Sequence, residues 1–258
     1  MVFADSRFAN FLRKVIPSRY RPFGYLQHTA MLRSSGRVMA GPFTSMQHVG
    51  QSAGSAMIPK ILGIYERELA SLVDAAVADQ PDIIVDAGAA EGYYAVGFAL
   101  RLPQARVIAF EMEPAARDLL AAMSRLNKVT DRVEIRGKCE PSDLQGAIEP
   151  ARRPLVVCDV EGYEDKLLDP VAVPALCRAS VIVETHDFVD RGITDRLARR
   201  FTATHRVQTI WQQERSGSEF PWKTLYTRCL PGRYLDWSVS EWRPERMRWL
   251  HMVPLDGR

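Results

Sequence analysis

Cysteine is scarce in this chain, and what there is lies scattered. Cys139, Cys158, Cys177 and Cys229 are the only four in 258 residues, and no two form a CxxC pair. That usage excludes a disulfide framework and a structural zinc site, and it suits a reducing, cytoplasmic compartment. No apolar run approaches the ~18 residues needed to cross a bilayer. Residues 1–26 interrupt their apolar stretches with Arg and Lys, so they supply no signal-peptide core. Internal repeats and low-complexity tracts are lacking, and neither charge sign dominates: 34 basic residues face 31 acidic ones, for a net charge of +3. With 47% apolar and 25% charged residues, 16 Gly and 16 Pro, the composition excludes disorder, collagen-like repeats and coiled coil as global descriptions. The length suits one large domain with an appendage.

The charge that is present is unevenly placed. Residues 1–60 hold eight Lys or Arg against one acid, Asp5, whereas the remainder holds 26 basic and 30 acidic residues. A basic N-terminal extension of short helices and loops, residues 1–57, thus precedes a slightly acidic body, residues 58–258. Such an arm suits weak peripheral contact with an anionic membrane surface, or packing against its own acidic body.

From Ile58 the pattern becomes regular. Residues 58–80 carry apolar side chains at helical spacing until Pro81. Apolar, β-branched runs then recur at 83–87, 106–111, 132–136, 154–160 and 180–186. Helical stretches separate them at 92–102, 114–127, 141–148 and 164–177, and another follows at 192–202. Strands alternating with helices in this way predict βαβ units and a parallel sheet covered on both faces. Two further strands are expected at 205–213 and 248–255. Between them lies a Trp-rich insertion at 213–247, and a connection of about 35 residues is functional or structured in its own right. It suits either a lid over the site or a satellite core.

The chemistry concentrates after the first strand, in Ile83-Ile84-Val85-Asp86-Ala87-Gly88-Ala89-Ala90-Glu91-Gly92-Tyr93-Tyr94. A buried strand ends on Asp86, and a turn of small residues feeds a helix whose first N–H groups are unpaired. An acid at that point repels pyrophosphate and suits a ligand bearing an ammonium or sulfonium group. Glu111 ends the second strand, where a carboxylate accepts hydrogen bonds from both hydroxyls of a ribose. A nucleoside carrying a positive group is the ligand both acids fit, and S-adenosylmethionine (SAM) is such a compound.

Asp86-x-Gly88-x-x-Glu91-Gly92 resembles motif I of class I SAM-dependent methyltransferases, and Glu111 matches that family's acidic ribose position. Asp159-Val160-Glu161-Gly162-Tyr163-Glu164 is similar to the segment after the fourth strand of FkbM-type methyltransferases. Leu62-Gly63-Ile64-Tyr65-Glu66 and Trp249-Leu250-His251 are of the same style. The resemblance spans about residues 60–255 and leaves the basic arm and the Trp-rich insertion uncovered. It implies a Rossmann-like α/β fold, a seven-stranded, mostly parallel sheet in the order 3-2-1-4-5-7-6 with helices on both faces. It also implies cofactor contacts from Tyr65, Asp86, Gly88, Ala90, Glu91, Gly92, Glu111, Met112, Cys139, Asp143 and Asp159.

The reaction expected is O-methylation of a hydroxyl on a small molecule or glycan-like acceptor. Removing the hydroxyl proton calls for a base near the methyl, and the candidates for catalysis are His186, Asp159 and Asp187. The acids near the ends of the fourth and fifth strands also resemble the Mg²⁺ site of catechol-type methyltransferases. A histidine stands among them and that pattern is not reproduced residue for residue, so no metal ligand is assigned. The other histidines, His28, His48, His205 and His251, show no ligand spacing. A dinucleotide-dependent oxidoreductase would need a glycine where Ala90 stands. The alternatives to a small-molecule enzyme are a methyltransferase-like binding protein without catalysis and a nucleic-acid methyltransferase. The first would have lost motif I residues, and the second is opposed by the acidic body, so nucleic acid is not expected as a partner.

Overall fold

The structure is a computed structural model that describes residues 17–255. The start of the basic arm, residues 1–16 with Arg7, Arg13 and Lys14, therefore lies outside the described residues. Five short apolar runs pair in parallel as β1 (Ile83–Ala87), β2 (Arg106–Phe110), β3 (Val133–Arg136), β4 (Pro154–Cys158) and β5 (Ser180–Thr185). Two longer strands, β6 (His205–Trp211) and β7 (Arg248–Pro254), complete the sheet, and β7 runs antiparallel to both its neighbours. The order is β3-β2-β1-β4-β5-β7-β6, as the resemblance implies.

The inner strands β1, β2, β4 and β5 bury both faces because their residues are largely apolar in both registers, whereas the edge strands β3 and β6 stay partly exposed. Ile84, Val107, Leu155, Val157 and Ile182 pack into one helical layer. Their neighbours Val85, Ile108, Val156 and Val181 pack into the other. That two-residue alternation assigns every inner residue a side, and at full burial each is worth about 1.5–3 kcal/mol.

In chain order the α-helices are α1 (Pro22–Ser34), α2 (Met57–Leu62), α3 (Ala70–Ala78), α4 (Tyr93–Arg101), α5 (Pro114–Leu126), α6 (Pro141–Ile148), α7 (Glu164–Leu167), α8 (Ile193–Phe201), α9 (Leu225–Cys229) and α10 (Arg233–Val239). Proline opens α1, α5 and α6 in the first turn, where its missing N–H costs nothing.

Two helical expectations are corrected. The single helix at 58–80 is broken into α2, a turn of 3-10 helix at Arg67–Leu69, and α3. The break falls at Gly63, which caps α2 and lies against the backbone of Ala40. The stretch 164–177 is helical only over α7 and a 3-10 turn, Pro174–Arg178, because Pro170 and Pro174 interrupt it.

A third apolar cluster lies outside the sheet. Leu26 and Ala30 of α1 and Ile58 and Ile61 of α2 pack with Phe220 and with Val239 of α10. Residues from the N-terminal region and the Trp-rich segment thus bury one another. Arg215 fastens the second piece, bonding Glu68 at 2.8 Å and Glu241 at 2.6 Å with all three side chains buried.

Candidate active site

In a parallel sheet the carboxyl ends of the strands converge on one edge, and ligands bind in the crevice beyond them. Here that edge holds a cavity of about 480 Å³, within the ~300–1,000 Å³ usual for small-molecule sites. The turn from β1 into α4 forms its floor. Gly88 takes φ 86°, and a Cβ there would lie 1.7 Å from the carbonyl oxygen of Asp159. No other residue fits, because the end of β4 is stitched to β1 at this point by Asp159 N–H donating to Ala87 C=O at 2.8 Å.

Asp86 is buried and faces the cavity. Its Oδ2 has no partner. Burial lifts its pKa to about 7 against the pull of the Ala95 backbone amide, and the charges of Asp159 and Glu111 add to the rise. Glu111 is fixed differently: Ala90 N–H and Glu113 N–H donate to its two oxygens, each at 2.8 Å. Each of those oxygens keeps a lone pair for a further donor.

His186, at the end of β5, is buried and lines the same cavity. Its Nδ1 lies 2.6 Å from Oε1 of Glu164, which is fully buried and also accepts the N–H of Gly162 at 2.9 Å. Ionised Glu164 only accepts, so Nδ1 carries the proton. Nε2 is 3.5 Å from Asp159 and 3.4 Å from Glu161. Burial works against a charged ring, yet the Glu164 hydrogen bond and the charges of Asp159, Glu164 and Glu161 raise the pKa above the usual histidine value. Burial also raises Asp159. An imidazole hydrogen-bonded to a buried carboxylate at a cavity wall is an arrangement chemically capable of acid–base work.

The donor set near His186 is small for Mg²⁺. Asp159, Glu184 and His186 can bring one ligand atom each within 4.8 Å of one another. Mg²⁺ asks for about six near-octahedral oxygens. Here one donor is a nitrogen, and Glu184 already carries the guanidinium of Arg243, which also pairs with Glu66. The set does not fit Mg²⁺. Arg243 instead supplies the positive charge at this wall, 5.5 Å from the ring centroid of Trp249.

The cavity gathers Tyr65, Asp86, Gly88, Ala90, Glu111, Met112, Cys139, Asp159 and His186. Burial pushes the Cys139 thiol up to about 12, which removes it as a nucleophile. Four residues expected at the site are not brought to it. Glu91 is fully buried and turned toward Lys60, whose Nζ it meets at 2.5 Å. Its other oxygen accepts Ala53 N–H at 3.1 Å, so it ties down the 53–55 loop that lines the cavity. Gly92 serves packing: a Cβ there would strike Leu120 of α5 at 2.2 Å. Asp143 closes the capping box of α6 by accepting Glu140 N–H at 3.1 Å. Asp187 secures the β5–α8 connection through Gly192 N–H at 3.0 Å, the Thr194 hydroxyl and Arg248. Replacing Asp143 by Ala is expected to cost about 1 kcal/mol of stability, the worth of a cap, and to leave cofactor affinity unchanged. Denaturant unfolding and calorimetric titration read the two.

Three residues of consequence escaped the sequence reading: Glu164 as the partner of His186, Arg243, and Lys60 as the counter-charge to Glu91. Glu164 stands within the Asp159–Glu164 segment, three residues after Glu161, but its partner is 22 residues away. Arg243 reaches Glu66 across 177 residues, and no local signal announces that.

No family model matches the chain, and no curated protein sequence does. Among solved structures it is similar to the O-methyltransferase TomG of Streptomyces achromogenes, solved with SAM, at 14% identity over 95% of each chain and a TM-score of 0.48. It is also similar to an O-methyltransferase of Bacillus cereus solved with SAH, at 12% identity over 96% of this chain and 97% of that one, with a TM-score of 0.47. A precorrin-6y C5,15-methyltransferase of Geobacter metallireducens follows at 10% identity, 71% and 87% coverage and a TM-score of 0.45. Likenesses this distant assign no activity here. The cavity's own residues must carry that.

Proposed function

We propose that this chain is a SAM-dependent methyltransferase of the FkbM type that transfers a methyl group to a hydroxyl oxygen. The observation that carries the reading is the unpartnered, buried Oδ2 of Asp86, set in one cavity with the fixed carboxylate of Glu111. A buried carboxyl oxygen with no donor is costly, and a cationic ligand group satisfies it. Glu111 has lone pairs left for the two ribose hydroxyls. Met112 and Cys139, after β2 and β3, would flank the adenine. Pyrophosphate cofactors are disfavoured by the same pair of acids.

SAM, when bound, supplies a methyl already activated by its positive sulfur. The protein's task is alignment, worth up to about 7–11 kcal/mol, and removal of the acceptor's proton. His186 takes that proton on Nε2, while Glu164 holds the tautomer through Nδ1–H and stabilises the imidazolium that results. Asp159, beside Nε2, keeps the proton near the site. The FkbM subtype rests on the Asp159–Glu164 sequence segment, whose Glu161 and Glu164 lie against His186. We take residues 58–258 as the catalytic domain, with the 53–55 loop and residues 241–244 completing its cavity. A cytoplasmic setting agrees with four free thiols, and among the described residues no helix is long and apolar enough to cross a membrane.

Thermal shift tests the reading. Saturation with SAM or SAH at 100 times Kd adds about 2.7 kcal/mol, which raises the melting temperature by roughly 5–10 °C for a chain of this size. NAD or NADP is expected to leave it unchanged. A shift with NAD and none with SAH would overturn the proposal.

A further inference from the structure

The cavity wall around His186 has a chemical character of its own. None of its lining residues is Asn, Gln or Thr, and its one serine, Ser55, is engaged by Lys60 at 2.7 Å. The hydrogen-bond donors that remain are largely committed. Arg243 is paired with Glu66 and Glu184, Tyr163 donates to Glu140 at 2.5 Å, Tyr94 donates to Glu66, and Lys138 pairs with Glu140 at 2.6 Å. A sugar needs many such groups to replace its water, and this wall has few to spare.

What the wall offers is aromatic. Phe188 and Trp242 both line the cavity, and they stay 42% and 56% exposed. The Phe188 ring meets the His186 ring edge-on, centroids 5.6 Å apart, so it borders the proton-accepting group. Trp242 takes φ 57°, a strained conformation for a bulky side chain that tends to occur at functional sites. It is held there by Ser240, which accepts its N–H at 3.1 Å, and by edge contact with Phe23. Two partly exposed aromatic rings on one cavity match the face of a planar ring.

Charge narrows the class further. Asp159 and Glu161 stand 3.5 and 3.4 Å from Nε2 of His186, and the Glu161 side chain is 74% exposed. With Arg243 and Lys138 already paired, the acceptor meets a negative field. Resting on the methyltransferase reading, we propose that the acceptor is a neutral or cationic phenol, its ring on Phe188 and Trp242 and its hydroxyl at His186. Sugars and phenols bearing a carboxylate are poor acceptors.

The test uses the full chain, methyl-labelled SAM and four probes: 4-ethylphenol, tyramine, 3-(4-hydroxyphenyl)propionate and methyl glucoside. Label is expected on the first two, with kcat/KM for the propionate at least about tenfold lower and no transfer to the glucoside. Trp242→Ala and Phe188→Ala are each expected to raise KM for 4-ethylphenol about tenfold while the Kd for SAH stays constant. If SAH binds but label goes to the glucoside or to neither neutral phenol, the phenol assignment falls and the cofactor reading stands. Unchanged KM in both variants overturns it equally. A chain that binds no SAH loses the cofactor reading, and with it this one.

Discussion

Replacing His186 by Ala is expected to lower kcat by about 10²–10⁴-fold, the range for loss of a general base, while SAH binds as in the parent chain. His186 lines the cavity, and its Nδ1 is held by the buried Glu164. The pH profile separates this role from a structural one. His186 titrates above its usual value because Glu164, Asp159 and Glu161 favour the charged ring despite burial. The base works only when neutral, so kcat/KM rises with pH and levels off once that raised pKa is passed. Glu164→Gln removes one of the charges holding the proton. The rising limb then moves to lower pH, and the plateau falls because Nδ1 loses its charged acceptor. Steady-state rates between pH 6 and 9 read both effects; a flat profile in the parent chain would leave His186 a structural residue.

The second large effect concerns the cofactor. Asp86→Asn and Glu111→Ala are each expected to weaken SAM binding about 10²-fold, since hydrogen bonds to charged groups are worth about 1.5–3 kcal/mol and Glu111 makes two. Glu111→Ala also releases the N–H groups of Ala90 and Glu113, so part of its loss comes from the turn itself. The Asp86 variant carries a cleaner signature. In the folded apo protein Asp86 keeps its proton to about pH 7, whereas in the unfolded chain it loses it near 4. Between those values the folded state binds the extra proton, so Asp86 makes stability fall as pH rises. SAM affinity moves oppositely and tightens through pH 7 as Asp86 ionises. Asp86→Asn removes its contribution to both slopes and leaves those of Asp159 and His186. Melting curves and calorimetric titrations at pH 5.5 and 8 measure them.

The sheet is legible because its inner parallel strands are short apolar runs rich in β-branched residues, and no rival periodicity competes over 83–87 or 154–158. Parallel strands send their carboxyl ends to one edge, which is why Asp86, Glu111, Asp159 and His186, far apart in sequence, line one cavity. Direction of side chains was not legible. In the turn after β1, Glu91 points to Lys60 and Gly92 to Leu120, and both facts depend on helices packed from elsewhere. Asp187 follows His186 directly, yet the chain turns there and sends its carboxylate to Thr194 and Arg248. The helix expected at 58–80 has the right spacing but is cut at Gly63 by the approach of residue 40, a tertiary contact that no local pattern encodes. Arg243 illustrates the same limit, since its neighbours Glu66 and Glu184 come from two distant parts of the chain.

A crystal structure of the chain grown with SAH tests the central claim most directly. The account predicts the nucleoside in the cavity beyond β1, β2 and β4, with both ribose hydroxyls about 2.6–3.0 Å from the Glu111 carboxylate and the amino-acid end within hydrogen-bond reach of Asp86. SAH bound elsewhere, or bound with Glu111 and Asp86 touching no part of it, would contradict the account.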